Sequence, residues 1–211
     1  MLGTRVFERA LELASYTGNL RQQCEISLRL AELAHRAGQP EEARARYAVA
    51  ARHAKDTNDP RQHGRVMLGM GELELDEERF QRALSLFREA QLELAGIAEP
   101  RGEVFALAGA AATLATMGAL QDSSTELTRA TLLARSLDAT SQRVVGLWAG
   151  FLDLAVHPGE EGIARAKSRL GRISVMPGSE LVAPPLVREA FVQAALVLER
   201  RIRDLESVAG G

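Results

Sequence analysis

Apolar positions recur along this chain at helical spacing, in stretches of about 17 residues separated by short breaks. Ile26, Leu30, Leu33, Ala34 and Ala37 share one face of a segment that runs from about Arg21 to Ala37. Gly38 ends it, because glycine takes the left-handed conformation after a helix at little cost. Pro40, Glu41 and Glu42 open the next helix. Proline suits a first-turn position that needs no amide donor, and the acids suit the positive end of the helix dipole. Ala43, Tyr47, Ala50 and Ala54 form that second helix's inward stripe. Alanine where two axes cross lets helices approach closely, and an aromatic fills the space beside the crossing. The stretch therefore predicts a helical hairpin.

The same pattern returns at an offset of 40 residues: Phe7, Tyr47, Phe87 and Leu127 align, followed by Ala10, Ala50, Ala90 and Ala130, and preceded by Gly3, Ala43, Ala83 and Ser123. The joints repeat too. Thr17-Gly18-Asn19 matches Thr57-Asn58-Asp59, and Asn58-Asp59-Pro60-Arg61 matches Ala98-Glu99-Pro100-Arg101. A period of this length marks a stacked solenoid. The expected organisation is a repeat array over 1–176, with a lone helix at 4–17 and units at about 21–60, 61–100, 101–140 and 141–175. A linker at 177–185 and an amphipathic helix at 186–208 follow. In the fourth unit the strict offset puts Ile163, Lys167 and Leu170 at core positions, so either the register slips or the crossing opens. Thr4 to Tyr16 reads as a second helix without its partner, either cut from a longer array or capping this end.

The last helix carries Val187, Ala190, Phe191, Ala194, Leu198, Ile202 and Leu205 as its apolar stripe, with Arg200, Arg201, Arg203 and Asp204 facing away. Covering the end of the solenoid is its expected role, against a dimerisation or partner-binding helix.

The arrangement resembles the tetratricopeptide repeat. Ala31, Gly71 and Ala111 match the family's small first-helix position, while Ala43, Ala83 and Ser123 match its second-helix alanine. Tyr47, Phe87 and Leu127 match the aromatic, and Ala50, Ala90 and Ala130 the alanine after it. The family's first-helix tryptophan position holds Ser27, Met67 and Leu107, and the 40-residue spacing exceeds the family's usual length. That spacing is similar to the arrays attached to large bacterial ATPase or kinase regulators. The resemblance implies an all-α fold, a right-handed α-solenoid of helical hairpins with a C-terminal capping helix, and a concave groove lined by first helices that holds a peptide. Carried over by position, the groove residues are Glu25, Arg29, Glu32, Arg36, Arg65, Glu72, Phe105, Val145, Trp148 and Leu152, with Leu28, His35, Leu68, Leu75 and Asp76 beside them. The groove runs from charged to apolar. It lacks the lysine and asparagine set by which the family clamps a chaperone's terminal carboxylate. Its apolar half is expected to hold either a partner's amphipathic helix or the chain's own last helix.

Composition agrees with all-α packing: of 211 residues 46% are hydrophobic and only 4% aromatic. The formal charge is -2, from 26 basic and 28 acidic residues, so no broad basic field exists to attract nucleic acid or anionic lipid. A single cysteine, no signal pattern and no long apolar run point to the cytoplasm and away from a membrane.

No constellation for catalysis stands out, so an enzyme, a cofactor and a metal are not expected. His35, His53, His63 and His157 are dispersed. Asp56, Asp59 and His63 sit at a turn, where Asp caps helices. Gly69-Met70-Gly71-Glu72 follows no strand and falls at a small-residue position, so packing explains it. Cys24 has no activating pair. The function expected is a protein-interaction module, regulatory or scaffolding, binding a protein, a peptide or another domain of a longer chain. The competing expectation is a structural spacer or an oligomerisation array in which the last helix or the exposed N-terminal helix mediates self-association.

Overall fold

A computed structural model describes residues 2–157, 159–174, 195 and 197–207. Among these the elements are helices α1 (Leu2–Tyr16), α2 (Leu20–Arg36), α3 (Pro40–Asp56), α4 (Pro60–Asp76), α5 (Phe80–Gly96), α6 (Pro100–Thr116), α7 (Leu120–Arg135), α8 (Ala139–Val156) and α9 (Glu160–Ser174). A further helix, α10, covers 197–207. The linker expected at 177–185, and the part of the last helix expected at 186–194, lie outside the described residues.

The joints set the metric of the array. A left-handed residue stands at Gly18, Gly38, Asn58, Glu78, Ala98 and Gly118, one every 20 residues, with φ between 48° and 81°. After it, the amide of the next residue bonds back to the last full turn: Gln39 N to Ala34 O at 2.9 Å, Asp59 N to Ala54 O at 3.0 Å, Glu99 N to Leu94 O at 2.9 Å. This is the Schellman closure, which satisfies otherwise orphaned helix carbonyls. Asn19 and Asp59 then cap the following helices by accepting from the amides of Gln22 and Gln62, each at 3.1 Å. Pro40, Pro60 and Pro100 start helices where no amide donor is needed.

The helices form two layers. The first helices α2, α4, α6 and α8 contact one another in succession, and the second helices α3, α5 and α7 each pack between two of them. Tyr47 and Phe87 are fully buried between these layers. Phe87 is wedged between Gly71 of its own hairpin and Gly109 of the next: a Cβ at Gly109 would come within 2.5 Å of its ring, and one at Gly71 within 2.8 Å. Tyr47 presses on Gly69 in the same way. The glycines of the Gly69–Gly71 stretch are thus sockets for aromatic rings. Ser123 at an alanine position donates to Ala111 O at 2.7 Å, which removes the cost of burying its hydroxyl.

The fourth hairpin breaks the metric by a register slip. α7 ends early, Asp138 takes an extended conformation, and α8 begins at Ala139 after Asp138 accepts from the Ser141 amide at 2.9 Å. On α9 the buried positions are Gly162 and Ala166, one residue before the Ile163 and Lys167 of the strict offset. A helix rotates about 100° per residue, so this slip keeps the lysine out of the core.

Candidate functional site

The concave face is formed by α2, α4, α6 and α8, and α10 lies in it. Val197, Leu198 and Ile202 of α10 are buried. Leu198 seats on Gly150 of α8, where a Cβ would come within 2.6 Å of its side chain. Ion pairs fix the helix at both ends of the groove. Arg200 donates to Asp76 at the end of α4 and to His35 O at the end of α2, the latter at 3.4 Å. Arg201 donates to Glu78 at 2.8 Å, and Glu206 pairs with Lys167 of α9 at 2.5 Å. Arg200 and Arg201 therefore do not face away from the array, although the apolar stripe alone places them outward. They reach around α10 to carboxylates that close the α4 end. Arg203 and Asp204 are exposed.

The apolar half of the groove is covered. Phe105 is 2% exposed, Val145 4% and Trp148 1%, and Leu152 is half-buried. Trp148 stacks edge-on against Phe87, with ring centroids 6.3 Å apart, and lies 5.6 Å from Phe151. These aromatics belong to the packing beneath α10 and are not an open surface in this arrangement. Beside α10 a cavity of about 270 Å³ remains, lined by Ala115, Thr116, Leu120, Phe151, Leu154 and Leu205 among others.

The charged half is a network within α2 and α4. Arg65 donates to Glu25 at 2.8 Å, and Arg29 donates to Glu25 at 3.1 Å and to Glu32 at 3.1 Å. Burial pushes the Glu25 carboxyl up, but the Arg65 and Arg29 guanidiniums outweigh it and hold the group below its usual range. Glu32 goes the other way, because burial exceeds the help from Arg29, Arg65 and Arg36. Glu72, 7% exposed, is raised well above the ordinary carboxyl range by burial and by the charge of Glu32. Tyr47 reaches this cluster from α3, and its hydroxyl is buried with no hydrogen-bond partner among the described residues. Arg36 is half-buried at the same end. Burial raises the Cys24 thiol to about 11, with Glu25 adding to the shift, and its sulfur donates to Ala50 O at 3.2 Å. A thiol so held stays protonated near neutral pH.

Two of the three groups singled out at the turn, Asp59 and His63, have other partners, and Asp56 is exposed. Asp59 caps α4 and pairs with Arg21 at 3.4 Å, while His63 faces Glu93 at 3.6 Å across the hairpin. The described residues include no group of three or more metal-ligating side chains. No helix among them is long and apolar enough to cross a membrane.

Sequence reasoning missed the Arg200–Asp76 and Arg201–Glu78 pairs, which join positions 124 and 123 residues apart. The available signal was weak: two arginines next to an apolar stripe, and acids at the last turn of α4.

No protein-family model matches the chain. No curated protein matches it either. Among solved structures it resembles that of BtubC (BKLC) from P. vanneervenii, with a TM-score of 0.63 at 15% identity, over 99% of this chain and 91% of that one. At that identity the likeness is one of fold, and the chain is an all-α helical-repeat solenoid.

Proposed function

We propose that the chain is a protein-interaction module of the tetratricopeptide class, cytoplasmic and non-catalytic, whose concave groove takes an amphipathic helix with paired basic residues. The observation that carries this reading is the groove's present occupant. α10 offers Val197, Leu198 and Ile202 to the apolar half and Arg200 and Arg201 to Asp76 and Glu78. A surface that accommodates such a helix from within the chain has the shape and charge to accept one from another protein or domain. In a regulatory or scaffolding role, α10 is then the competitor that a partner must displace. Its tether gives it an effective concentration in the millimolar range, so only a partner with more contacts succeeds.

The test keeps the full chain and releases α10 through Leu198→Glu with Arg200→Glu and Arg201→Glu. A labelled peptide of residues 186–208 should bind this released variant and should not bind the intact chain at the same concentration. Adding Asp76→Arg and Glu78→Arg to the released variant should abolish binding of the basic peptide. If the released variant, still helical, binds no peptide, the groove is a structural seam and the module is a spacer.

A further inference from the structure

The cavity beside α10 has a counterpart one repeat earlier, and the two differ at every shared position. At the α6–α7 joint the cavity is lined by Ala115, Thr116, Gly118 and Leu120. The residues 40 positions before these, Leu75, Asp76, Glu78 and Phe80, line the corresponding niche at the α4–α5 joint. Thr116, Phe151 and Arg201 border both. The earlier niche is nearly filled, with about 20 Å³ free, whereas the later one holds about 270 Å³. Between them Leu75 gives way to Ala115, Asp76 to Thr116, Glu78 to Gly118 and Phe80 to Leu120. Turn geometry does not demand the small residue at 118, because Glu78 takes the same left-handed conformation, with φ 58° against 81° at Gly118. A close-packed repeat scaffold thus loses volume at one joint in a way that its own packing does not call for.

We propose that this space is a binding site for a small carboxylate whose apolar body has about ten carbon atoms. A cavity of about 150 Å³ holds benzene, so one of about 270 Å³ takes a bicyclic ring or a folded alkyl chain. Phe151, Leu154, Ala155 and Leu205 supply apolar walls, and Leu120, 38% exposed, borders the solvent side. The sign of the ligand's charge follows from Arg201, the one charged side chain among the described residues around the cavity. In the earlier niche Arg201 is accompanied by Asp76, Glu78 and Asp204, whereas positions 116 and 118 carry no acid. Glu78 accepts from Nη1 of Arg201 at 2.8 Å, and a guanidinium offers five N–H donors, so a second carboxylate can be held without breaking that pair. The other polar side chain there, Thr116, donates to Ala112 O at 3.0 Å. A cation or a sugar would find no carboxylate to meet it. Because Arg201 and Leu205 belong to α10, the ligand binds the docked state of that helix and holds it in place. The site itself does not depend on what the groove accepts.

Titration calorimetry on the full chain with 1-naphthoate and with decanoate tests this. At least one should bind, once per chain, with a Kd below ~1 mM, and neutral 1-naphthalenemethanol should bind at least ~10-fold more weakly than 1-naphthoate. Ala115→Leu with Leu120→Phe restores the residues of the filled niche. It should weaken binding at least ~10-fold while circular dichroism shows unchanged helicity. Thr116→Asp keeps the space and sets an acid beside Arg201, as Asp76 does one repeat earlier; it should weaken 1-naphthoate and leave the neutral alcohol unchanged. Should the filled variant lose helicity, Thr116→Asp still decides. The proposal fails if neither carboxylate binds up to ~10 mM. It also fails if the filled variant, still helical, binds as tightly as the parent, which would put the ligand elsewhere. Equal affinity for acid and alcohol, or a Thr116→Asp effect shared by both, refutes the assignment of an anion.

Discussion

Replacing Gly109 by alanine isolates the packing device on which the layers depend. The new Cβ would sit 2.5, 2.6 and 2.8 Å from three atoms of the Phe87 ring. Ordinary carbon contacts are about 3.5–4.0 Å, so the overlap is on the order of 1 Å on several atoms at once. The ring has no room to retreat. Gly71 approaches the same three ring atoms, at 2.8 to 3.0 Å from its Cβ position, and Trp148 meets the ring edge-on at 6.3 Å between centroids. Overpacking of this kind costs about 1–3 kcal/mol. Alanine returns up to ~1 kcal/mol of helix propensity over glycine, which leaves a net loss of about 1–2 kcal/mol. Gly146 of α8 is the control, since nothing lies within 4 Å of its Cβ position. There the same substitution should stabilise by about 0.5–1 kcal/mol. Urea denaturation followed by circular dichroism reads both values. Phe87→Leu placed on Gly109→Ala should cost less than the sum of the two changes, with a coupling of about 0.5–3 kcal/mol. If Gly109→Ala is as stable as the parent chain, or the two changes simply add, the ring is not wedged and the socket reading is wrong.

Three further outcomes are expected. Ala98 holds a left-handed conformation with φ 53°, so Ala98→Gly should relieve about 1–2 kcal/mol of backbone strain, less ~0.4–1 kcal/mol for the freer unfolded chain, and raise the melting temperature slightly. Cys24 should react with a thiol reagent at pH 8 only as fast as the chain opens, because burial holds its pKa at about 11; rapid stoichiometric labelling of the native protein contradicts this. Glu72 has its folded pKa raised, so the folded state holds its proton more tightly and stability declines as pH rises from the ordinary carboxyl range towards that raised value. Glu72→Gln should therefore be more stable than the parent at pH 8 and close to it at pH 4, as measured by thermal melts at the two pH values.

The hairpins were legible because their signals are local. Gly18, Gly38 and Gly118 sit where a left-handed residue closes a helix, and prolines at 40, 60 and 100 open the next. At Glu78 and Ala98 the same joint is made without glycine, and there only the repeat reveals it. The slip at Asp138 was legible as a conflict, since Lys167 could not stand at a core position, but its resolution needed the cap geometry at Ser141. The groove was legible in outline and not in state. Trp148 and Phe105 read equally well as anchors for a guest or as core under the chain's own helix. What decides between these is Arg200 meeting Asp76, a pairing that no periodicity encodes. Tyr47 likewise reads as an aromatic at a packing position, while its unpartnered hydroxyl beside Glu32 and Glu72 emerges only in three dimensions.

A solenoid normally unfolds like a zipper, because each hairpin touches only its neighbours and the ends can fray alone. α10 changes that topology. By tying the ends of α2 and α4 to Gly150 on α8 and Lys167 on α9, it bridges residues that are otherwise several hairpins apart. The array becomes a closed loop of dependencies, in which opening the last hairpin also loosens the first. Displacing one short helix would then convert a cooperative body into a string of semi-independent springs, and the mechanical compliance of the whole module would change with the occupancy of its groove.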